Sequence, residues 1–234
     1  MRPFQSWKRI VTLVVTGAVL GAPSIAGAKD DQVKYADRVT EAKAVFQELM
    51  TASDRSVPKE LMENAKCVVV IPDMMKGALG FGARWGSGVM SCRDAQGGWT
   101  APVFVSLKGG SWGLQIGAEK TDLVLFFMTE RGARSLVTQS KFTLGGKAAV
   151  AAGPLGRSGE AATDLHLKAE IYSYAKSKGL FAGISLEGSS LTVSKKANEA
   201  YYGRPVSAQA VLFEHHSPEM PQEAKDFVAV LPGH

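Results

Sequence analysis

The chain has 234 residues, 45% hydrophobic and 21% charged, with a formal net charge of +5. That length and hydropathy suit one substantial core without calling for a second domain. Arg2, Lys8 and Arg9 lie in the first 28 residues, which hold no acidic residue, and the charge of about +2 left beyond them does not suggest a nucleic-acid partner.

Those 28 residues read as a cleaved secretory signal. A basic start precedes an apolar run from Ile10 to Leu20, and Ala26 and Ala28 form an A-x-A exit before Lys29. The expected limits are therefore 1–28 for the signal and 29–234 for one domain. With export comes an oxidising compartment, where Cys67 and Cys92 pair as a disulfide. The alternative is two small buried hydrophobes.

Residues 30–50 place Val33, Ala36, Val39, Ala42, Phe46 and Leu49 at steps of three and four, a helical stripe that packs on the domain or lies on a lipid surface. Pro58 opens a short helix, and residues 67–71 read as a buried strand stopped by Pro72. From Pro72 to Ala118 there are eleven glycines set among large side chains, which is unlike a flexible linker. Residues 93–99 read as a hairpin connection to a return strand at 102–107, and Gly109–Gly110 as a further turn. Several short antiparallel strands are expected here. Residues 122–128 form the most apolar strand, 167–175 a half-buried one, and 180–193 a strand or hairpin. A short helix follows at 195–201, with docking helices in the last thirty residues.

Catalytic and cofactor signatures are missing. Residues 77–82 and 144–149 match neither phosphate-binding glycine pattern, and no G-x-S-x-G elbow occurs. His166 near Asp164 and Glu170 permits a remote hydrolase site, read more simply as a polar strand face. Asp73, Asp94, Asp122 and Asp164 belong to no calcium-loop pattern. No metal site, cofactor or enzymatic activity is expected.

The ordered set AKCVVVIP, GALGFGARWGSGVMSCRD, GGWTAPVFVSLKGGSWGLQIGA, TDLVLFFM, KFTLG, AAGPLGR, AEIYSYAKSKGLFAGISLEG and YYG resembles the SYLF lipid-binding family, also called the Ysc84 actin-regulator domain family. The leader places it in a bacterial, exported branch, located in the periplasm or at the periphery of the outer membrane. The resemblance implies non-enzymatic binding of anionic phospholipid in the bacterial envelope, by a mixed α+β domain with a strongly bent, mainly antiparallel sheet and flanking N- and C-terminal helices. The residues expected to touch lipid are Lys34, Arg38 and Lys43, with Arg84 and Lys108 beside them. The alternatives are a structural or protein-interaction component of the periplasm or outer membrane, with an envelope protein partner, and a hydrolase with an unrecognised site.

Overall fold

The computed structural model describes residues 25–52, 57–146, 148–154, 169–177, 179–214, 216 and 218–233. Most of the expected signal, 1–24, lies outside them. Helix α1 (Ile25–Thr51) runs across the expected boundary at Ala28. It is followed by α2 (Lys59–Asn64) and two long strands, β1 (Cys67–Cys92) and β2 (Val103–Phe127). Then come α3 (Glu130–Thr138), β3 (Phe142–Thr143) and β4 (Val150–Ala152). β5 (Ile171–Ser177), β6 (Leu180–Gly183) and β7 (Ser190–Val193) complete the sheet. The last helices described are α4 (Lys195–Tyr202), α5 (Ala208–Phe213) and α6 (Gln222–Ala229).

The sheet is organised by β2. One edge pairs with β1 throughout, from Cys67↔Phe127 to Met90↔Val103. The other edge is divided: residues 105–108 pair with β7, and residues 122–127 with β5. β3 continues outward from β7, while β5 also carries β6 and, in parallel, β4. This is the mixed α+β architecture with a strongly bent, mainly antiparallel sheet.

The bend is severe. A 26-residue strand could extend about 85 Å, yet the Cα atoms of Cys67 and Cys92, its first and last residues, are 3.9 Å apart and their sulfurs are joined. The β1–β2 ribbon thus doubles back on itself. Its register shifts between Ile71 and Met74 and again between Leu79 and Phe81. Asp73 takes a left-handed φ of 51° at the first shift, a conformation that Asp tolerates, and its amide donates to Asp122 Oδ1 at 3.0 Å. Where the ribbon returns, Gly88 lies against the main chain of Val70 and Ile71 with no room for a Cβ.

Both faces of the sheet are buried. Val68, Val70, Phe104, Val124, Phe126 and Tyr174 face α1, α4 and α6, contributing to a core with Val39, Phe46, Leu49, Tyr201 and Phe227. Val69, Ile71, Val103, Val105, Leu125 and Phe127 face the opposite way, toward Leu136 of α3, Val211 and Leu212 of α5, and Phe142. The apolar stripe of α1 is therefore engaged by the domain from Val39 onward, while Val33 stays 60% exposed.

Three strand expectations are corrected. Pro72 does not stop the first strand, because a bulge absorbs it; a proline lacks only its own N–H and is tolerated at such a site. Gly109–Gly110 is no turn but a continuous part of β2, so two long strands replace several short ones. Residues 171–175 are buried on both faces because layers cover β5 from both sides.

Candidate functional site

The five cations expected to meet lipid do not form one patch. On α1, Arg38 donates to the Pro72 carbonyl at 3.2 Å and pairs with Glu41 at 3.0 Å, tying the helix to the bulge. One turn further, Lys43 reaches Asp226 of α6 at 3.1 Å. The Asp226 carboxyl is held below its ordinary range by the Gln222 amide and by Lys43. Arg84 lies in the returning part of β1, where it donates to the Ser185 carbonyl at 2.9 Å. Its Nε is buried without a partner, and burial pulls the guanidinium below its ordinary value. Lys34 and Lys108 are exposed and carry no ion pair among the described residues; the Lys34 ammonium lies 5.8 Å from the Tyr35 ring centroid.

Arg93, at the end of β1, is an organising side chain. Its guanidinium donates to the carbonyls of Glu63 and Ala65 at 3.1 Å each, where α2 leaves acceptors unsatisfied, and lies 4.6 Å from the Trp99 ring. Desolvation lowers its pKa against the opposing charge of Glu63. Trp99 in turn donates to the Pro232 carbonyl at 3.0 Å, so the hairpin connection, α2 and the C-terminal segment are clamped together.

Open crevices lie where the start of α1 meets the end of α4 and beside the start of α4. One, of about 410 Å³, is walled by Gln32, Tyr201, Tyr202, Arg204, Glu219 and Met220, with Pro218 and Pro221. A larger cleft of about 1050 Å³ lies between the ends of α3 and β7 and the starts of α4 and α5, and includes Thr138, Ser140, Ser194, Lys195, Lys196 and Glu199. Aromatic rings line the interior behind them: Tyr35 packs edge-on to Phe104 at 5.0 Å, Phe104 to Tyr201 at 5.1 Å, and Tyr201 to Tyr202 at 4.7 Å. The tyrosine pair was visible in the sequence, but its partner Gln32 lies 169 residues away and gave no signal.

His166 and Asp164 fall outside the described residues, and Glu170 is engaged by Arg131. Asp73 pairs with Lys120 at 2.9 Å, and Asp94 accepts from the amides of Gln96 and Gly98 in its own turn. Among the described residues no three His, Cys, Asp or Glu side chains gather as a metal site.

Fold and surface together define a sheet-and-helix domain that presents open crevices and tethered cations. A family model described as "Ysc84: Las17-binding protein actin regulator" matches residues 108–233. The chain is 37% identical over 196 residues to an SH3 domain-containing YSC84-like protein 1 of Xenopus laevis, covering 81% of this chain and 58% of that one. It is 38% identical over 162 residues to LAS seventeen-binding protein 3 of Saccharomyces cerevisiae, covering 68% and 35% respectively. The human SH3 domain-containing YSC84-like protein 1 is 35% identical over 178 residues, covering 76% and 51%. The chain belongs to the Ysc84 family, and it spans only part of the length of these relatives.

The bacterial exported branch is corrected by these matches, which are to proteins of frog, yeast and human. With it fall the periplasmic or outer-membrane location, the exported status, the envelope lipid function, and the alternatives of an envelope partner or an unrecognised hydrolase. The physical reason is one of reach: the charge and apolar run of the leader concern 28 residues, whereas the matches extend over most of the folded chain.

Proposed function

We propose that residues 29–234 form one non-catalytic docking module that serves actin regulation by binding a protein partner of the Las17 type. The carrying observation is the identity of 35–38% to SH3 domain-containing YSC84-like and LAS seventeen-binding proteins. Capture of Las17 by the purified chain and co-sedimentation of the chain with actin filaments test the reading. Failure of both at micromolar concentrations would sink it.

Anionic phospholipid, phosphoinositide included, is the second ligand of this reading, with Lys34 and Lys108 as its contacts. Both are exposed and lack a competing carboxylate among the described residues. Arg38, Lys43 and Arg84 support it more weakly because each already holds an internal acceptor. Binding to phosphoinositide vesicles should weaken with salt and in the Lys34→Glu/Lys108→Glu double variant. Binding indifferent to both would remove these contacts.

A further inference from the structure

On its α1 side the β1–β2 ribbon is covered only near its base. Val89 and Phe104, which pair in the ladder, lie in the core beneath α1. Alternate residues along each strand keep to the same face, so the next pairs outward there are Ser87↔Ser106, Trp85↔Lys108 and Ala83↔Gly110. Ser87, Ala83, Lys108 and Gly110 are exposed, and Trp85, the one exposed aromatic side chain among the described residues, is 47% exposed. The helix marks the boundary with Tyr35 on Phe104 and Arg38 on the Pro72 carbonyl. The other arm of the ribbon brings Gly77↔Ala118 to this face. A Cβ on Gly77 would lie 3.7 Å from the Trp85 ring, so the indole of one arm rests on bare backbone of the other.

The chemistry of the face selects its occupant. Gly77, Ala83, Gly110 and Ala118 add no bulk around the indole, and by register Leu79↔Ile116 and Phe81↔Trp112 belong to the same face. Neither crevice described above reaches it, so an anchoring side chain of a protein partner has no pocket here to fill. Among the described residues the Trp85 N–H has no acceptor and the Lys108 ammonium no carboxylate. Glu119 holds an alternate position opposite Lys76 and belongs to the other face. Lys120, paired with Met75 at the far corner, is balanced by Asp73 at 2.9 Å, so Lys108 gives the face its net positive charge. An indole with a free N–H beside an unpaired ammonium suits the boundary of an anionic bilayer. The ring sits at headgroup depth there, and the ammonium meets phosphate.

We propose that this face of the ribbon lies against an anionic membrane surface, with Trp85 entering the interfacial layer and Lys108 held at the lipid phosphates. Gly77 backs the ring, so the indole is presented from a firm support rather than from a loose side chain. This proposal rests on the reading of anionic phospholipid as a ligand. It adds the face that meets the bilayer and the side chain that enters it.

The test mixes the full chain with phosphatidylcholine vesicles containing phosphatidylserine, and with the same vesicles brominated on the upper acyl chain, which quench an indole that enters them. Brominated lipid should quench the wild type, and the quenching should fall in Trp85→Phe, the other tryptophans being common to both. Trp85→Ala should weaken vesicle binding about fivefold, with the unfolding midpoint close to wild type because the side chain is half exposed. Lys108→Glu should weaken it by about fivefold or more at low salt and flatten the salt dependence. Equal quenching in wild type and Trp85→Phe, or vesicle binding indifferent to Trp85→Ala, would overturn the proposal. Salt-sensitive vesicle binding that persists in that case leaves the lipid reading in place, whereas no vesicle binding by the wild type removes both. Loss of Las17 capture in Trp85→Ala with vesicle binding unchanged would also overturn it and assign the face to a protein.

Discussion

Replacing Gly88 by Ala tests whether the β1–β2 ribbon doubles back as described. Gly88 pairs with Val105 in the ladder and is buried. A Cβ there would lie 1.9 Å from the Val70 carbonyl oxygen, 2.6 Å from Ile71 Cα and 2.7 Å from the Val70 carbonyl carbon. All three are main-chain atoms, so no rotamer relieves the clash, and the ribbon must open where Val70 and Ile71 enter the two cores. Overpacking typically costs about 1–3 kcal/mol, and a clash against backbone belongs at the upper end. Lower unfolded-state entropy returns about 0.4–1 kcal/mol for Gly→Ala. The net loss should be about 2 kcal/mol, or about 4–8 °C in Tm for a chain of this size. Gly110→Ala is the internal control, since its Cβ would meet nothing nearer than the Gly82 carbonyl oxygen at 4.0 Å. Thermal and urea unfolding followed by circular dichroism would measure both variants. Equal midpoints for the two would refute the close return of the ribbon.

Removing the Cys67–Cys92 link, with Ala at both positions, should destabilise the oxidised protein by about 3.5 kcal/mol on the chain-entropy estimate for a separation of 25 residues, measured by urea unfolding without reductant; an unchanged midpoint counts against the link. Arg93→Ala should cost about 1–2 kcal/mol and shift Trp99 fluorescence, and Arg93→Lys should not restore it because an ammonium cannot fork between two carbonyls. Burial is the leading cause that raises the phenol pKa values of Tyr172, Tyr174, Tyr201 and Tyr202. The folded state therefore keeps protons that the unfolded chain releases above pH about 10, so stability is level below that pH and falls as pH rises through it. Unfolding midpoints at about pH 8 and about pH 11 should show this drop, and Tyr201→Phe should lessen it; identical slopes in the variant would exclude Tyr201 as a contributor.

Periodicity made α1 legible because its stripe at Val39, Ala42, Phe46 and Leu49 meets the sheet as a helical face should. Antiparallel pairing was legible from the turn signals between apolar runs and the bend from the family resemblance, but the number of strands was not. A Gly-Gly turn and a Gly-Gly pair in a strongly curved strand look alike locally, and only pairing across the sheet distinguishes Gly109–Gly110 as the latter. β5 was misread for a related reason: alternation suggests one wet face, whereas Tyr172 and Tyr174 are covered by helices. The site was less legible still. Whether a lysine or arginine is free depends on distant acceptors, Asp226 lying 183 residues from Lys43 and Ser185 101 residues from Arg84. Nothing near those residues in sequence announces such partners.

The divided edge of β2 bears on where this family's unit of folding begins. The family match starts at residue 108, inside β2, and so omits β1, α1 and α2. A fragment cut there would keep residues 122–127 with β5 but strip their other neighbour, baring backbone donors and acceptors beside Leu123, Leu125 and Phe127. Such an edge invites pairing between copies, and aggregation is its expected fate. The span most readily recognised by its residues and the span able to stand alone in water are thus different lengths of the same chain.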